Sequence, residues 1–252
     1  MNDARYAYAS ARLDARRSVR PTAARRALLE SSREPEHYLE TLRAIAGGRQ
    51  AAWLEVPATL GARDVDAHEA WLRAEWREGC AELASWYPPE WAAAFAWCAV
   101  LPDLEVLERL RAAPAGPSWA AEDPVLAPVA RAEFEARADA LRGTAHAPLA
   151  AAWRAGTPLR DAWIARWLEV RPPVSRRVGR LLHLLGAEVL AAARLPGRAS
   201  RESLERSAAR LYRAGRGTPA AAFALLVLRA LDATEWRGGL AARTVIPERG
   251  GP

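Results

Sequence analysis

The chain has 252 residues, 51% of them hydrophobic, which is enough to bury a sizeable core and excludes a disordered chain. All 36 of its basic residues are arginine, so the formal charge of +6 arises without a lysine; this excludes a Walker-type phosphate loop, a Schiff base and a lysine general base. Thirty acidic residues are interleaved with the arginines, a pattern of solvated helix faces rather than of a nucleic-acid footprint.

Eighteen prolines and sixteen glycines punctuate segments rich in Ala, Leu, Arg and Glu, while β-branched residues are too sparse for many strands, so the composition predicts an all-α fold. A first helix is expected over 4–19, with Tyr6, Ser10, Leu13 and Arg17 on one face and Pro21 at its end. A second follows Thr22. A third starts near Pro35, buries Tyr38, Leu42 and Ile45, and stops at Gly47-Gly48. Asp64 or Asp66 opens a long helix lined by Leu72, Trp76 and Leu83 and ended by Pro88-Pro89. The next, PEWAAAFAWCAVL, repeats Trp91, Phe95 and Cys98 at i, i+4 and i+7, and Asp103 is expected to cap DLEVLERLRAA.

Residues 113–118, APAGPS, make the best linker in the chain. Beyond it, helices are expected in PVLAPVARAEFEARADALRG, TPLRDAWIARWLEV, VSRRVGRLLHLLGAEVLAAARL, SRESLERSAARLYRAGRG and TPAAAFALLVLRALDATEWRGGL. Thr157-Pro158 and Thr218-Pro219 each pair a capping threonine with a first-turn proline. The expected architecture is a multi-helical array of roughly ten or eleven short helices in two or three small bundles. It forms a single all-helical domain over 1–252, lobed as N-terminal bundles over 1–116 and a C-terminal bundle over 117–252.

Candidate chemistry is thin. His37, His68, His146 and His183 offer no i, i+4 metal pair, and the local cluster Asp64, Asp66, His68 and Glu69 is read first as acids favoured by a helix start. Cys80 and Cys98 have no CxxC partner and are expected to be buried and inert, in a reducing cytosol. No G-x-S-x-G elbow or G-x-G-x-x-G turn occurs, so neither a catalytic residue nor a bound cofactor or metal is expected. The opening residues lack the apolar core of a secretion signal, and the uncharged stretches Ala92–Pro102 and Gly217–Leu228 are too short to span a bilayer. Tryptophans such as Trp86, Trp91, Trp97, Trp163 and Trp167 are read as core first and as docking anchors second.

The opening stretch YAYASARLDARRS, through Tyr6, Tyr8, Ala11, Arg12, Leu13, Arg16 and Ser18, resembles the first helix of the V-type ATPase central-stalk subunit called C in prokaryotes and d in eukaryotes. ARRALLESSREPEHYLETLRAIAG looks like the next step of that family, and AFALLVLRALDATEWRGGLAAR, with Glu235 and Arg237, is similar to its late helix. The chain is shorter than the family's usual members, so the resemblance is to a shortened, divergent one. It implies a non-enzymatic rotor part that sits on the proteolipid ring and receives the central shaft, coupling ATP turnover to ion transport, expected to be of protons. The partners implied are those ring and shaft subunits, with no nucleic acid and no direct membrane span, and the location implied is the cytoplasmic side of a membrane complex. Arg12, Arg16 and Arg17 are the expected docking residues, chosen for their clustering on the first helix. Two other readings stand beside it: a helical adaptor unrelated to rotary ATPases, using exposed tryptophans as anchors, and an enzyme with a metal at Asp64, Asp66 and His68.

Overall fold

The structure, a computed structural model, describes residues 2–46, 54–194 and 197–245. No strand occurs among them, and the expected all-α class holds. The helices in chain order are α1 (Asn2–Ser18), α2 (Ala23–Ser31), α3 (Pro35–Ala46), α4 (Val65–Trp86), α5 (Ala92–Cys98), α6 (Leu104–Ala112), α7 (Ala127–Ala130), α8 (Arg137–Arg142), α9 (Ala150–Ala155), α10 (Leu159–Val170), α11 (Arg176–Arg194), α12 (Arg198–Ala214) and α13 (Pro219–Val245). The expected stop at Gly47-Gly48 lies outside the described residues.

Cα packing groups the chain into two compact units. The first comprises Met1–Glu75, Trp86–Pro88 and Pro173–Pro252; the second comprises Trp76–Ser85 and Pro89–Pro172. Helix α4 supplies residues to both.

In the first unit the two ends of the sequence pack together. Ala9 and Leu13 on α1, Leu29 on α2, and Tyr38, Leu39 and Leu42 on α3 are buried, as are Trp236 and Leu240 on α13, which contacts α1, α3, α11 and α12. The expected second helix follows Thr22, whose hydroxyl caps it by accepting from the Arg25 amide at 3.3 Å. Helix α13 comes so close to α3 that a Cβ added to Gly239 would lie 2.1 Å from the Tyr38 hydroxyl. One turn on, Arg243 stacks over the Tyr38 ring at 4.2 Å and donates to the carbonyls of Ser32 (2.6 Å), Glu30 (3.1 Å) and Gly239 (2.8 Å).

The second unit buries Leu107, Leu110, Leu126, Val129, Leu141 and Leu149 around short helices. The indoles of Trp97 and Trp163 each donate to the other's backbone carbonyl at 2.9 Å, a reciprocal pair that joins α5 to α10. Residues 113–118 lie inside this unit. Arg137, itself buried, donates to the carbonyls of Leu110, Ala113 and Pro114, and Gly116 packs against Leu110.

Several local expectations are corrected. Residues 124–143 do not form one helix but two short helices with a 3-10 segment, Phe134–Ala136, between them. Helix α10 is not capped by Thr157, whose hydroxyl donates to Ala152; its first amide, Leu159 N, is instead met by Glu108 of α6 at 2.7 Å. Asp103 precedes α6 but makes no side-chain cap, because its carboxylate faces the interior.

Candidate functional site

Two groups of ionic side chains stand out, one in each unit. The first is built on α1. Its small residues let Ala9 and Leu13 pack inward, and this leaves Arg12, Arg16 and Arg17 along the flank of the helix. The Arg12 guanidinium lies over the Trp86 ring at 5.2 Å, and that of Arg17 lies over the Tyr212 ring at 4.7 Å. Arg16 is half-buried. The three therefore differ in their surroundings, and two of them are already seated on aromatic faces.

Arg17 also lines a cleft of about 420 Å³ together with Asp14, Ser18, Arg20, Pro21, Ala209, Arg216 and Leu228. Asp14 accepts from the Tyr212 hydroxyl at 2.8 Å and from Arg216 at 3.1 Å, which fixes the ring on which Arg17 rests. Arg20 is committed inward: Nε and Nη2 donate to the two oxygens of Asp232, both at 2.7 Å, and Nη1 pairs with Glu205 at 2.7 Å. Arg26 forks onto Glu205 as well. Burial works against the Arg20 charge, but hydrogen bonds and attraction from Asp232 and Glu205 outweigh it, so its pKa is raised. Burial likewise works to raise the Glu205 carboxyl, and the Arg26 hydrogen bond and the Arg20 charge pull it below its ordinary value. Among the described residues Arg17 makes no ion pair, so its N–H fork beside the cleft is available to an incoming carboxylate.

The second group is half-buried Arg77 with the buried side chains of Asp103, Asp123 and His146. Arg77 on α4 bridges the two aspartates, at 3.1 Å to Asp103 and 2.8 Å to Asp123. His146 Nε2 donates to Asp103 at 3.0 Å, and its Nδ1 lies 3.3 Å from the Thr144 hydroxyl oxygen. Asp123 also accepts from the amides of Val125 and Leu126, turning the chain into α7. A Thr-His-Asp sequence of contacts resembles a nucleophile with its base and orienting acid. Here, however, His146 and Asp103 are 0% and 1% exposed, and the Thr144 hydroxyl donates to the Leu141 carbonyl at 2.8 Å. The set ties four segments of the second unit together, with His146 and Asp103 closed off from solvent.

The residues considered for a metal have local duties. Asp64 accepts from the Ala67 amide at 2.9 Å and so starts α4, while buried His68 donates from Nε2 to the Gly61 carbonyl at 2.7 Å. Glu69 pairs with Arg73 and Arg237, and Glu235 pairs with Arg201. No group of three or more His, Cys, Asp or Glu side chains among the described residues is arranged to hold a metal ion. Both cysteines are buried, and burial pushes the Cys98 thiol well above its ordinary value.

The ionic ties are not legible in the sequence. One signal is visible: Asp232 directly follows the apolar run AFALLVLRAL, and a carboxylate on a buried face needs a cation. Its partner, Arg20, is 212 residues away and no spacing rule identifies it. Comparisons with protein-family models, with curated proteins and with solved structures return no match.

Proposed function

We propose that this chain is a non-catalytic coupling subunit of a rotary V-type ATPase, of the central-stalk C/d kind, holding the central shaft on the proteolipid ring. The observation that carries the reading is the joint packing of the stretches on which the resemblance rests. Helix α1, with Tyr6 and Arg12, and helix α13, with Glu235 and Arg237, belong to one unit and are in contact. They are also tied through Arg20 to Asp232 and, via α2 and α3, through Arg243 and Tyr38. A part that transmits torque needs such ties between distant segments, because helices joined only by exposed polar contacts yield under load.

The docking face in this reading is α1 with its cleft. Arg17, stacked on Tyr212, presents a planar fork suited to a carboxylate, and Arg12 and Arg16 extend the face along the helix. The alternative adaptor reading depended on exposed tryptophans, and every described tryptophan is buried or half-buried.

The test is functional coupling. Membranes from a host lacking this chain are expected to retain ATP hydrolysis by the catalytic head and to lose ATP-driven ion uptake, with restoration by the intact chain. Unchanged ion uptake in the deletion strain would remove the coupling role.

A further inference from the structure

Helices α11 and α12 form an antiparallel hairpin whose register is set at both ends. Near the turn the Ser200 hydroxyl donates to the Ala192 carbonyl, and at the open end Arg177 donates to the Ala214 carbonyl at 3.0 Å. The first turns of α11 therefore lie beside the last turns of α12, with Arg176 and Arg180 level with the Arg210 to Gly215 turn.

This end is crowded with one sign of charge. Arg176, Arg177 and Arg180 on α11 and Arg206, Arg210 and Arg213 on α12 are all exposed. The last three fall at i, i+4 and i+7, one stripe about 10 Å long. The acids of these two helices are elsewhere or engaged: Glu188 lies two turns beyond Arg180, Glu202 pairs with Arg198, and Glu205 pairs with Arg20 and Arg26. Asp14 is held by Tyr212 and Arg216.

Helix physics explains part of this. Arg213 sits in the last turn of α12, where the dipole favours a cation, and Arg177 satisfies an end carbonyl of that helix. It does not explain Arg176 and Arg180, which stand at the positive end of α11, whose first turn has no acid. Cations held against a helix dipole with no carboxylate among the described residues break a local rule without a gain in folding, as functional positions do.

We infer that this end of the α11/α12 hairpin is a docking surface for an acidic helical segment of a partner protein. Charge complementarity selects the sign, and the stripe selects the form. Carboxylates at i, i+4 and i+7 of a partner helix repeat at the spacing of Arg206, Arg210 and Arg213, and each guanidinium can take one as a fork. Leu184, 45% exposed and one turn beyond Arg180, supplies an apolar contact at the edge. A single nucleic-acid strand would call for exposed aromatic rings among the arginines, and a lipid surface for several large apolar side chains among them. The exposed neighbours on α12 are instead Glu202, Ser203 and Ala214. The inference does not depend on the rotary reading, since any partner with such a segment would satisfy it.

The test uses the whole chain and two synthetic helical peptides of identical composition. One carries glutamates at i, i+4 and i+7 beside one leucine, and its isomer spreads them around the helix. The striped peptide is expected to bind about tenfold more tightly, as three modest ion pairs allow, and the preference is expected to vanish in R206Q/R210Q/R213Q and to weaken in R176Q/R180Q while the melting curve stays unchanged. Equal affinity for the two isomers, a preference that survives in the folded triple variant, or tighter binding to phosphatidylserine vesicles or to an oligonucleotide would overturn the inference.

Discussion

Gly239 and Asp103 show how single residues fix this fold. Gly239 is needed because the hydroxyl end of Tyr38 occupies the space its side chain would fill, and Arg243, one turn on, lies over the Tyr38 ring. Gly239→Ala is therefore expected to lower stability by about 1–3 kcal/mol despite alanine's better helix propensity, as read by urea unfolding, and Tyr38→Leu in the same chain should recover part of the loss. A neutral Gly239→Ala would show that the helices can separate at no cost. Asp103, 1% exposed, answers both Arg77 and His146. Replacing it with alanine takes one of two carboxylates from Arg77 and leaves buried His146 without its acceptor, and is expected to lower stability by about 1–3 kcal/mol; a loss below about 0.5 kcal/mol would mean that these bonds are dispensable. From sequence Asp103 is expected to be a cap, because an aspartate before a helix usually is one. Only tertiary packing reveals that the carboxylate turns inward.

At the scale of elements, the helices with strong periodic patterns were legible and the short ones were not. Tyr38, Leu42 and Ile45 lie at helical spacing and are buried on α3 as expected, and Pro219 opens α13. The segment over 124–143 is rich in good helix formers, yet it breaks into pieces: Asp123 takes the amides of Val125 and Leu126 at its start, and Arg137 within it reaches back to the carbonyls of Leu110 and Ala113. Helix α12 is bound through Glu205 to Arg26 on α2 and to Arg20 just before that helix, which gives a pH dependence with a definite sign. Its carboxyl is held below the ordinary value in the folded chain, so the stability it contributes is present above the unfolded value, about 4.3, and is lost as pH falls through the lower folded value. Glu205→Gln should flatten the acid limb of a stability profile below the ordinary carboxylate range. A profile of unchanged slope would assign the acid sensitivity to other carboxylates.

At the scale of the whole chain, composition was enough to establish the all-α class, because a chain with few β-branched residues and regular proline punctuation has little else to build from. The candidate docking arginines were legible as a cluster. What was not legible is that Arg17 would rest on a ring from α12, held by an aspartate from its own helix, since that contact joins residues almost 200 positions apart. Composition carries no information on such pairings, and the ties that unite the chain's ends are of this kind.

The coupling role is tested most directly by affinity capture of the tagged, full-length chain from detergent-solubilised membranes of its own host, with identification of the proteins retained. The account predicts recovery of the V-type head, shaft and ring subunits together, reduced when Arg12, Arg16 and Arg17 are all changed to glutamine. Recovery of unrelated proteins, or of none, would contradict it.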